Sequence, residues 1–398
     1  MRGLKPRLQG ASDIGDVAMN TTKKAPVLVV VQLTGGNDFM NTLIPYTAGI
    51  YHDSRPVVGI KAEDVIPLDV DDTLGWNPHA APLKEMFDAG DVAVVQGIGY
   101  PDSNRSHFRA MDIWHTCEPL KIGDEGWVGR LVRELDPQSQ NVLTCVSFGQ
   151  GLPRACALSG IPVTSVGDLD NYGLMTSIGD ETLRTQALDV FKKMYSSTVG
   201  SGIVMDYLSQ TGLDVIKGAD ELKKAPAMYK SEVAYPQSSI AKSLRDVARV
   251  HLADLGTRVF YTQHGGYDNH ANEVPAHPRL LKDLTEAIQA FFTDLRAQDA
   301  SEEIVMYVFT EFGRRIRDNA SGTDHGTGGG AFIIGDHVKG GLYSEYPSLD
   351  PARWVHGEDL EHTIDFRGIY GTLLEQWMGV DPTHIVGGNF EQIHPFSV

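Results

Sequence analysis

Seven short runs of apolar residues, each about as long as one strand, recur along the chain between polar stretches and glycine turns. The runs are Pro26–Leu33, Val92–Gln96, Val142–Phe148, Ile161–Val166, Arg258–Thr262, Ile304–Phe309 and Ala331–Ile334. Most are rich in β-branched or aromatic residues and are apolar at nearly every position. Such runs are typical of strands that are buried on both faces, as in a parallel sheet.

Between several of these runs, apolar residues recur every three or four positions, which is the spacing of one buried helix face. The clearest case is Pro278–Asp299, where Leu281, Leu284, Ile288 and Leu295 fall on one face. The other predicted helices are Leu74–Asp88, Ser106–His115, Thr182–Val199, Val204–Lys217, Ile240–Leu255 and Asp365–Met378. Strands that alternate with helices in this way predict an α/β protein.

Length and composition agree with an ordinary globular protein. The chain has 398 residues, 41% of them hydrophobic, which suffices for one large α/β domain or two ordinary ones. Residues 1–25 are polar and mixed and lack the apolar core of a signal peptide, so we predict a flexible N-terminal segment there. We expect residues 26–398 to form a single domain, in which residues 117–240 are partly a helical insertion or cap.

The charge of the chain excludes several classes of partner. A formal net charge of -18 argues against nucleic-acid binding, which needs a basic surface, and against docking on anionic lipid.

No apolar run reaches the roughly 20 residues that a membrane span needs. Cys117, Cys145 and Cys156 lack the spacing of a metal motif and leave at least one thiol unpaired, so they indicate no disulfide framework.

Residues that can bind a metal follow the predicted strands at their carboxyl ends, the edge where an α/β sheet carries its chemistry. The candidate ligands are Asp38, Asp268, His270, Glu311, Asp324 and His325. Taken alone, Asp38 fits equally well as a helix N-cap, and an isolated histidine is more often structural than a ligand. The repeated order of strand, glycine pair and polar residue favours a metal site.

Six such ligands exceed what one tetrahedral ion needs, so we expect one or two divalent cations. The carboxylate-rich set suits manganese, calcium or magnesium at least as well as zinc. Two cations a few ångströms apart can clamp a phosphoryl or sulfuryl group and activate a hydroxyl or a water.

Ser106 is the candidate nucleophile, because it lies where a predicted helix begins after a glycine turn. Free N–H groups and the helix dipole favour an anion at such a position. Arg105, His107 and Arg109 surround the serine in sequence and are the candidate substrate-binding residues. The alternative is that Ser106 only caps the helix.

Six segments together resemble a known family. They are LVVVQLTGGNDFMNTLIPY, VVQGIGYPDSNRSHFRAMDIWHT, GGYDNHANE, VFTEFGRR, DHGTGGGAFIIG and DFRGIYGTLLEQWMGV. In content and order they resemble a bacterial family of unknown function, typically twin-arginine-exported, in the alkaline phosphatase and sulfatase-like superfamily. The resemblance covers nearly the whole chain. It implies an alkaline phosphatase-like three-layer sandwich, with a mostly parallel sheet flanked by helices, and it suggests an exported, periplasmic protein.

The resemblance also implies roles for the residues at the first strand ends. Asp38 resembles the metal-binding aspartate after the first strand, and Ser106 resembles the nucleophile at the helix start. Asp268 and His270 resemble an Asp–His pair of the superfamily. The usual spacing of that pair is wider, which makes His277 a rival to His270.

The later strand ends depart further from the superfamily pattern. Glu311 occupies the position of an Asp-His pair in phosphatases, and Phe312 stands where the histidine of that pair would be. One metal site is therefore expected to be weakened or reassigned. His325 resembles the late histidine that precedes a similar strand, with Asp324 as an extra ligand or as a residue that orients His325.

Two functions from different classes agree with these features. The first is a metal-dependent hydrolase of a phosphate or sulfate ester, with a small or polymeric anionic ester as substrate and Ser106 as nucleophile. The second is a catalytically degenerate member that binds a ligand, a polysaccharide or a partner protein through the same cleft. Phe312 at a ligand position and the absence of a lysine or cysteine next to Ser106 favour the second.

Overall fold

The computed structural model describes residues 24–172, 178–194 and 218–397, and a nine-stranded mixed sheet forms the centre of this part of the chain. Two small sheets, of three strands (β2, β4 and β3) and of two strands (β10 and β11), lie outside it. The strands are β1 Val27–Thr34, β2 Leu43–Ile44, β3 Ile66–Pro67, β4 Gly75–Trp76, β5 Val92–Gly99, β6 Cys145–Phe148, β7 Thr164–Val166, β8 Val259–Gly265, β9 Ile304–Thr310, β10 Arg314–Asp318, β11 Thr323–His325, β12 Gly329–Ile334, β13 Gly341–Tyr343 and β14 Ile364–Asp365.

Helices cover both faces of the central sheet. Among the described residues they are α1 Gly49–Ser54, α2 Ala81–Asp88, α3 His107–Thr116, α4 Trp127–Leu135, α5 Glu181–Met194, α6 Lys224–Met228, α7 Ser239–Leu252, α8 Glu273–Arg296, α9 Phe366–Thr372 and α10 Thr383–Val386. A π-helical turn, Leu373–Trp377, continues α9. None of these helices is long and apolar enough to span a membrane.

The central sheet has the strand order β13-β5-β12-β9-β1-β8-β6-β7, and β14 also pairs with β5. Every pairing is parallel except those of β12, which runs antiparallel to both β5 and β9. The apolar run at Ala331–Ile334 correctly predicted this strand. Its direction depends on how the chain returns to the sheet, which an apolar run does not encode.

Successive residues of β1 point into two different cores. Val29 and Val31 belong to one core with residues of α7 and α8, whereas Leu28 and Val30 belong to the other with residues of α3 and α4. All four are fully buried, and burial of each such side chain contributes about 1.5–3 kcal/mol. The sheet between two helical layers confirms the predicted α/β class and the three-layer arrangement.

Residues 117–240 contribute both strands and helices. The runs at Val142–Phe148 and Ile161–Val166 contain β6 and β7, which extend the central sheet beyond β8. Helix α5 agrees with the prediction at Thr182–Val199 up to Met194. The predicted helix Val204–Lys217 and almost all of the predicted N-terminal segment lie outside the described residues.

Three central strands end at the same level, and this positions the functional site. Leu33 of β1 pairs with Thr310 of β9, and Thr34 of β1 pairs with Gly265 of β8. The parallel strands therefore release their loops at one edge. Those loops carry the polar residues that follow each strand in the sequence.

Candidate metal centre

Three imidazoles and one carboxylate converge at this edge. We call His107, Asp268, His270 and His325 the metal centre. Oδ1 of Asp268 lies 3.1 Å from Nε2 of His270 and 3.1 Å from Nε2 of His325. Oδ2 of the same carboxylate lies 3.3 Å from Nε2 of His107, and the Nε2 atoms of His270 and His325 are 2.8 Å apart.

The other ring nitrogen of each histidine faces a group that accepts hydrogen bonds. Nδ1 of His107 lies 2.8 Å from Oε1 of Glu311, and Nδ1 of His270 lies 3.0 Å from Oδ1 of Asp324. Nδ1 of His325 lies 2.7 Å from the carbonyl oxygen of Arg105. Because carbonyls and carboxylates accept hydrogen bonds, each Nδ1 carries a proton, and a ring that is neutral then has its lone pair on Nε2.

Ligand atoms of His107, Asp268 and His325 all lie within 4.8 Å of one another, and Nε2 of His270 adjoins those of Asp268 and His325. Nε2 of His107 is buried and has no hydrogen-bond donor among the described residues. Lone pairs held this close repel each other unless a proton or a cation lies between them. Because the Nδ1 side of each ring is held by a carboxylate or a carbonyl, as in metal-bound histidines, these residues fit a divalent cation.

Glu311 is held behind His107. Its carboxylate accepts hydrogen bonds from the amides of Gly35 (2.9 Å) and Gly36 (3.2 Å) and from Oγ1 of Thr310 (3.0 Å). Gly35 has a φ of +121°, and a Cβ there would lie 2.3 Å from the amide of Asp268, so this close approach requires glycine. Glu311 therefore reaches the metal centre through His107, as Asp324 does through His270.

Arg314 joins the loops that form the metal centre. Its buried guanidinium donates to the carbonyls of Gly35, Gly36, Tyr267 and Thr323, and at 2.9 Å to Oδ1 of Asp268. Burial raises the pKa of Asp268, but the hydrogen bond from Arg314, the contact with His325 and the nearby positive charges outweigh it and lower that pKa to about 2. Asp268 is therefore ionised at neutral pH.

The surroundings shift the pKa values of His107 and His325 in opposite directions. The hydrogen bond to Glu311 is the main cause that raises the pKa of His107, whereas burial lowers the pKa of His325. Burial also raises the pKa of Asp324, but hydrogen bonds from His270 and Asn319 outweigh it, so that pKa is lowered. Ionised carboxylates thus surround the histidines, which favours a cation at the centre.

Phe312 closes one side of the metal centre with an apolar surface. It is 1% exposed, and its ring centroid lies 4.9 Å from that of His107 and 4.8 Å from that of His325. Gly36, with a φ of +76°, leaves room for this ring, because a Cβ there would lie 2.5 Å from it. An aromatic ring offers no ligand atom for a second ion on this side.

Asp38 lies in a separate buried polar cluster with Arg55 and Glu273. Its Oδ2 forms an ion pair with Arg55, whose side chain is fully buried. Burial raises the pKa of Asp38, but Arg55 outweighs this and lowers it, while burial and the charge of Asp38 raise the pKa of Glu273 to about 9. A protonated Glu273 can donate to the carboxylate of Asp38, whose Oδ1 has no hydrogen-bond partner among the described residues.

His277, the rival to His270, lies close to this cluster and not at the metal centre. Its Nε2 is 2.9 Å from Oδ1 of Asn37, and burial lowers its pKa to about 4. The structure thus brings His270, not His277, next to Asp268. Asp38 also begins a short 3-10 helix, Phe39–Asn41, but its side chain makes no capping hydrogen bond.

Replacing Glu273 with glutamine is expected to stabilise the protein increasingly as the pH rises from about 5 to 9. Above about pH 4.5 the unfolded chain loses the Glu273 proton, whereas the fold keeps it until about pH 9. Wild-type stability therefore falls with pH across this window, and glutamine, which mimics the protonated acid, removes that loss. Urea unfolding of both proteins at several pH values measures the difference, and a constant difference would contradict a protonated Glu273.

Ser106 and its neighbours lie at the first turn of α3. Ser106 is exposed and is the N-cap residue, yet its hydroxyl makes no capping hydrogen bond, so the alternative role as a simple cap is not used here. Arg105 pairs with Asp359 at 3.5 Å, and its side chain is 38% exposed. Arg109 instead pairs with Asp112, and it also donates to carbonyls of the following loop, those of Glu118, Pro119 and Lys121.

Sequence reasoning missed several residues of this region. His107 was expected to bind substrate, but its Nε2 faces Asp268; its place directly after Ser106 at a helix start was the available signal. Arg314, five residues after the end of a predicted apolar run, was not among the candidate residues. Arg55 belongs to no motif, Glu273 ends the segment GGYDNHANE without having been singled out, and Asp359 follows no predicted strand. Their places depend on long-range contacts.

One protein-family model matches more than half of the chain. A family model described as "Protein of unknown function (DUF1501)" matches residues 162–385. No curated protein matches the chain. Similar solved structures include an alkaline phosphatase superfamily protein from Vibrio parahaemolyticus, with a TM-score of 0.43, 10% identity, and coverage of 94% of this chain and 71% of that one.

Two further similar solved structures are a sulfatase and an alkaline phosphatase. A sulfatase from Pseudoalteromonas sp. has a TM-score of 0.36 and 12% identity, over 93% of this chain and 71% of that one. Alkaline phosphatase from the Antarctic bacterium TAB5 has a TM-score of 0.34 and 11% identity, over 80% and 95%. What the site can do chemically has to follow from its own residues.

Proposed function

The chain belongs to the family described as "Protein of unknown function (DUF1501)", and we propose that it is a metal-dependent hydrolase of phosphate or sulfate esters. The observation that carries this proposal is the convergence of three Nε2 lone pairs on the carboxylate of Asp268. Each lone pair is fixed by the hydrogen bond on the opposite side of its ring. Such a donor set is costly to assemble without a cation.

The donor set favours one ion of borderline character. Three imidazoles and one carboxylate suit zinc, or manganese as second choice, better than calcium or magnesium, which prefer oxygen ligands. Phe312 removes a ligand position from the side of His107 and His325. We therefore propose a single ion held by His107, Asp268, His270 and His325, with Glu311 and Asp324 orienting two of the histidines.

A bound cation would supply positive charge that attracts an anionic ester and lowers the pKa of a nearby hydroxyl or water. The residues of the chain supply the rest. Ser106 directly precedes His107, so its free hydroxyl lies at the start of a ten-residue helix whose first amides favour an anion. These features suit Ser106 as the nucleophile that attacks phosphorus or sulfur.

Replacing Ser106 with alanine is expected to lower ester turnover by at least about 10³-fold while leaving the metal content unchanged. The hydroxyl would be lost, but none of the four ligands would move. Replacing Ser103, which lies three residues earlier, with alanine is the matched control and should keep most of the turnover. A Ser106 variant as active as the control would mean that water, and not the serine, attacks the ester.

Binding without catalysis is the second candidate function. Phe312 favours it, because its ring offers no ligand atom for a second ion and many phosphoryl-transfer sites use two ions. Elemental analysis of the purified protein, followed by assays with aryl phosphates and aryl sulfates, separates the two candidates. The hydrolase proposal expects about one zinc or manganese per chain and turnover that a chelator abolishes. Bound metal without turnover of any ester would favour the binding function, and full turnover without metal would overturn the proposal.

A further inference from the structure

Asp359 is a buried carboxylate held between two arginines. Its Oδ2 lies 3.5 Å from Nη1 of Arg105 and its Oδ1 lies 3.3 Å from Nε of Arg315, while its own side chain is fully buried. Neither oxygen has a hydrogen bond of good geometry among the described residues. Burying a carboxylate costs free energy, and the long distances from Asp359 to the two arginines offset this cost only in part. The arrangement therefore indicates a role beyond stabilising the fold.

The two guanidiniums keep most of their donors available. The side chain of Arg105 is 38% exposed and that of Arg315 is 29% exposed. Besides Asp359, the described structure gives Arg315 only a 3.9 Å approach to Oδ2 of Asp324. Each guanidinium has five N–H groups in a planar fork, so the pair retains unused donors toward solvent. Asp359 offsets the repulsion between the two positive charges. We call Arg105 and Arg315 the arginine pair.

The arginine pair is connected to the metal centre through groups that bind the Nδ1 atoms of His325 and His270. The carbonyl of Arg105 accepts the proton of Nδ1 of His325, and Arg315 approaches Asp324, which binds Nδ1 of His270. The backbone carbonyl of Arg105 and the carboxylate that Arg315 approaches thus lie at the Nδ1 edges of His325 and His270, whereas an ion would be held at the Nε2 edges. An anion on the arginine pair is thus a different group from one bound at the ion.

We propose that the arginine pair binds a second, non-reacting anionic group of the substrate. This rests on the proposed function for the reacting group, but the anion site itself does not depend on catalysis. The substrate class is then an ester that carries at least two negative groups, such as a multiply sulfated or phosphorylated molecule. Asp359 is a positioning residue, because it sets the separation of the two guanidiniums without touching the substrate.

Calorimetric titration of the metal-loaded protein with benzenesulfonate and with 1,3-benzenedisulfonate tests the anion site without any turnover. The wild type is expected to bind the disulfonate about tenfold more tightly than the monosulfonate. Replacing Arg315 with methionine should abolish this preference, and Arg105→Met should do the same. Asp359→Asn should reduce it, because the pair would lose the charge that holds it together.

Arg317→Met is the matched control, since this side chain is 58% exposed and, among the described residues, pairs only with Glu358, at 3.7 Å. Its guanidinium also lies over the ring of Trp354. It removes the same charge two residues away and should keep the preference. Equal binding of both sulfonates by the wild type, or a preference that survives in Arg315→Met, would overturn the arginine pair. If the wild type prefers the disulfonate, Arg315→Met loses that preference, and neither protein hydrolyses any ester, the arginine pair would be supported and the hydrolase proposal rejected.

Discussion

Replacing Asp268 with alanine is expected to remove the bound metal and to lower ester turnover by at least about 10³-fold. This carboxylate is the only anionic member of the metal centre, and it lies within 3.3 Å of all three Nε2 atoms. The fold should survive, because Arg314 keeps its four carbonyl partners when the carboxylate is gone. Elemental analysis and turnover with an aryl ester, measured on the same preparation, check both effects.

Asp220→Ala is a suitable control for this variant. The side chain of Asp220 is 55% exposed, comparable to the 47% of Asp268, and pairs with Lys223 at 3.8 Å. The control should retain metal and activity. An Asp268→Ala protein that is folded and still holds a full complement of metal would contradict the ligand set proposed above.

Replacing Arg55 with methionine is expected to lower the free energy of unfolding by about 3–5 kcal/mol. The variant keeps the volume of the side chain but leaves Asp38 ionised, buried and close to Glu273, without its cation. Arg55 also donates from Nε to the carbonyl of Ile316 (2.9 Å) and from Nη2 to that of Arg315 (2.7 Å), and these hydrogen bonds are lost too. Urea unfolding monitored by circular dichroism measures the change.

Arg353→Met serves as the comparison, because that arginine is 59% exposed and its pair with Glu361 should contribute less than about 1 kcal/mol. Equal effects of the two substitutions would mean that the Arg55–Asp38 pair stabilises no more than a surface pair. The Arg55 variant also tests the predicted role of Asp38 as a ligand. A folded Arg55→Met protein that has lost its metal would connect Asp38 to the metal centre, and unchanged metal would separate them.

The sheet was predictable because its strands are buried on both faces and so appear as continuous apolar runs. The run at Pro26–Leu33, for example, predicted β1 to within one residue at each end. Strand order and direction were not predictable, since they arise from contacts between distant segments. The antiparallel β12 and the use of β6 and β7 to extend the sheet are examples.

Part of the site could also be anticipated from strand ends. Asp268, His270, Asp324 and His325 do meet, because the loops that carry them leave one edge of the fold. The sequence does not encode which ring nitrogen of a histidine meets which partner. In the structure, Nε2 of His107 faces Asp268, which makes His107 a candidate ligand, and Nδ1 faces Glu311, which is held by the amides of Gly35 and Gly36.

The charged groups that support the site could not be anticipated. Arg55, Glu273 and Asp359 act through partners between 17 and 254 positions away in the chain, and no local pattern indicates which partner each one meets. A buried charge acquires its partner only when the fold brings distant segments together. Such residues become visible only in a structure.

Crystallographic anomalous scattering at the zinc absorption edge, on protein loaded with zinc, tests the central claim most directly. The account predicts one strong peak, in contact with the Nε2 atoms of His107, His270 and His325 and with the carboxylate of Asp268. A peak at Asp38, or direct coordination by Glu311 or Asp324 in place of the histidines, would contradict the assigned ligands. No peak at all would contradict the existence of the metal centre.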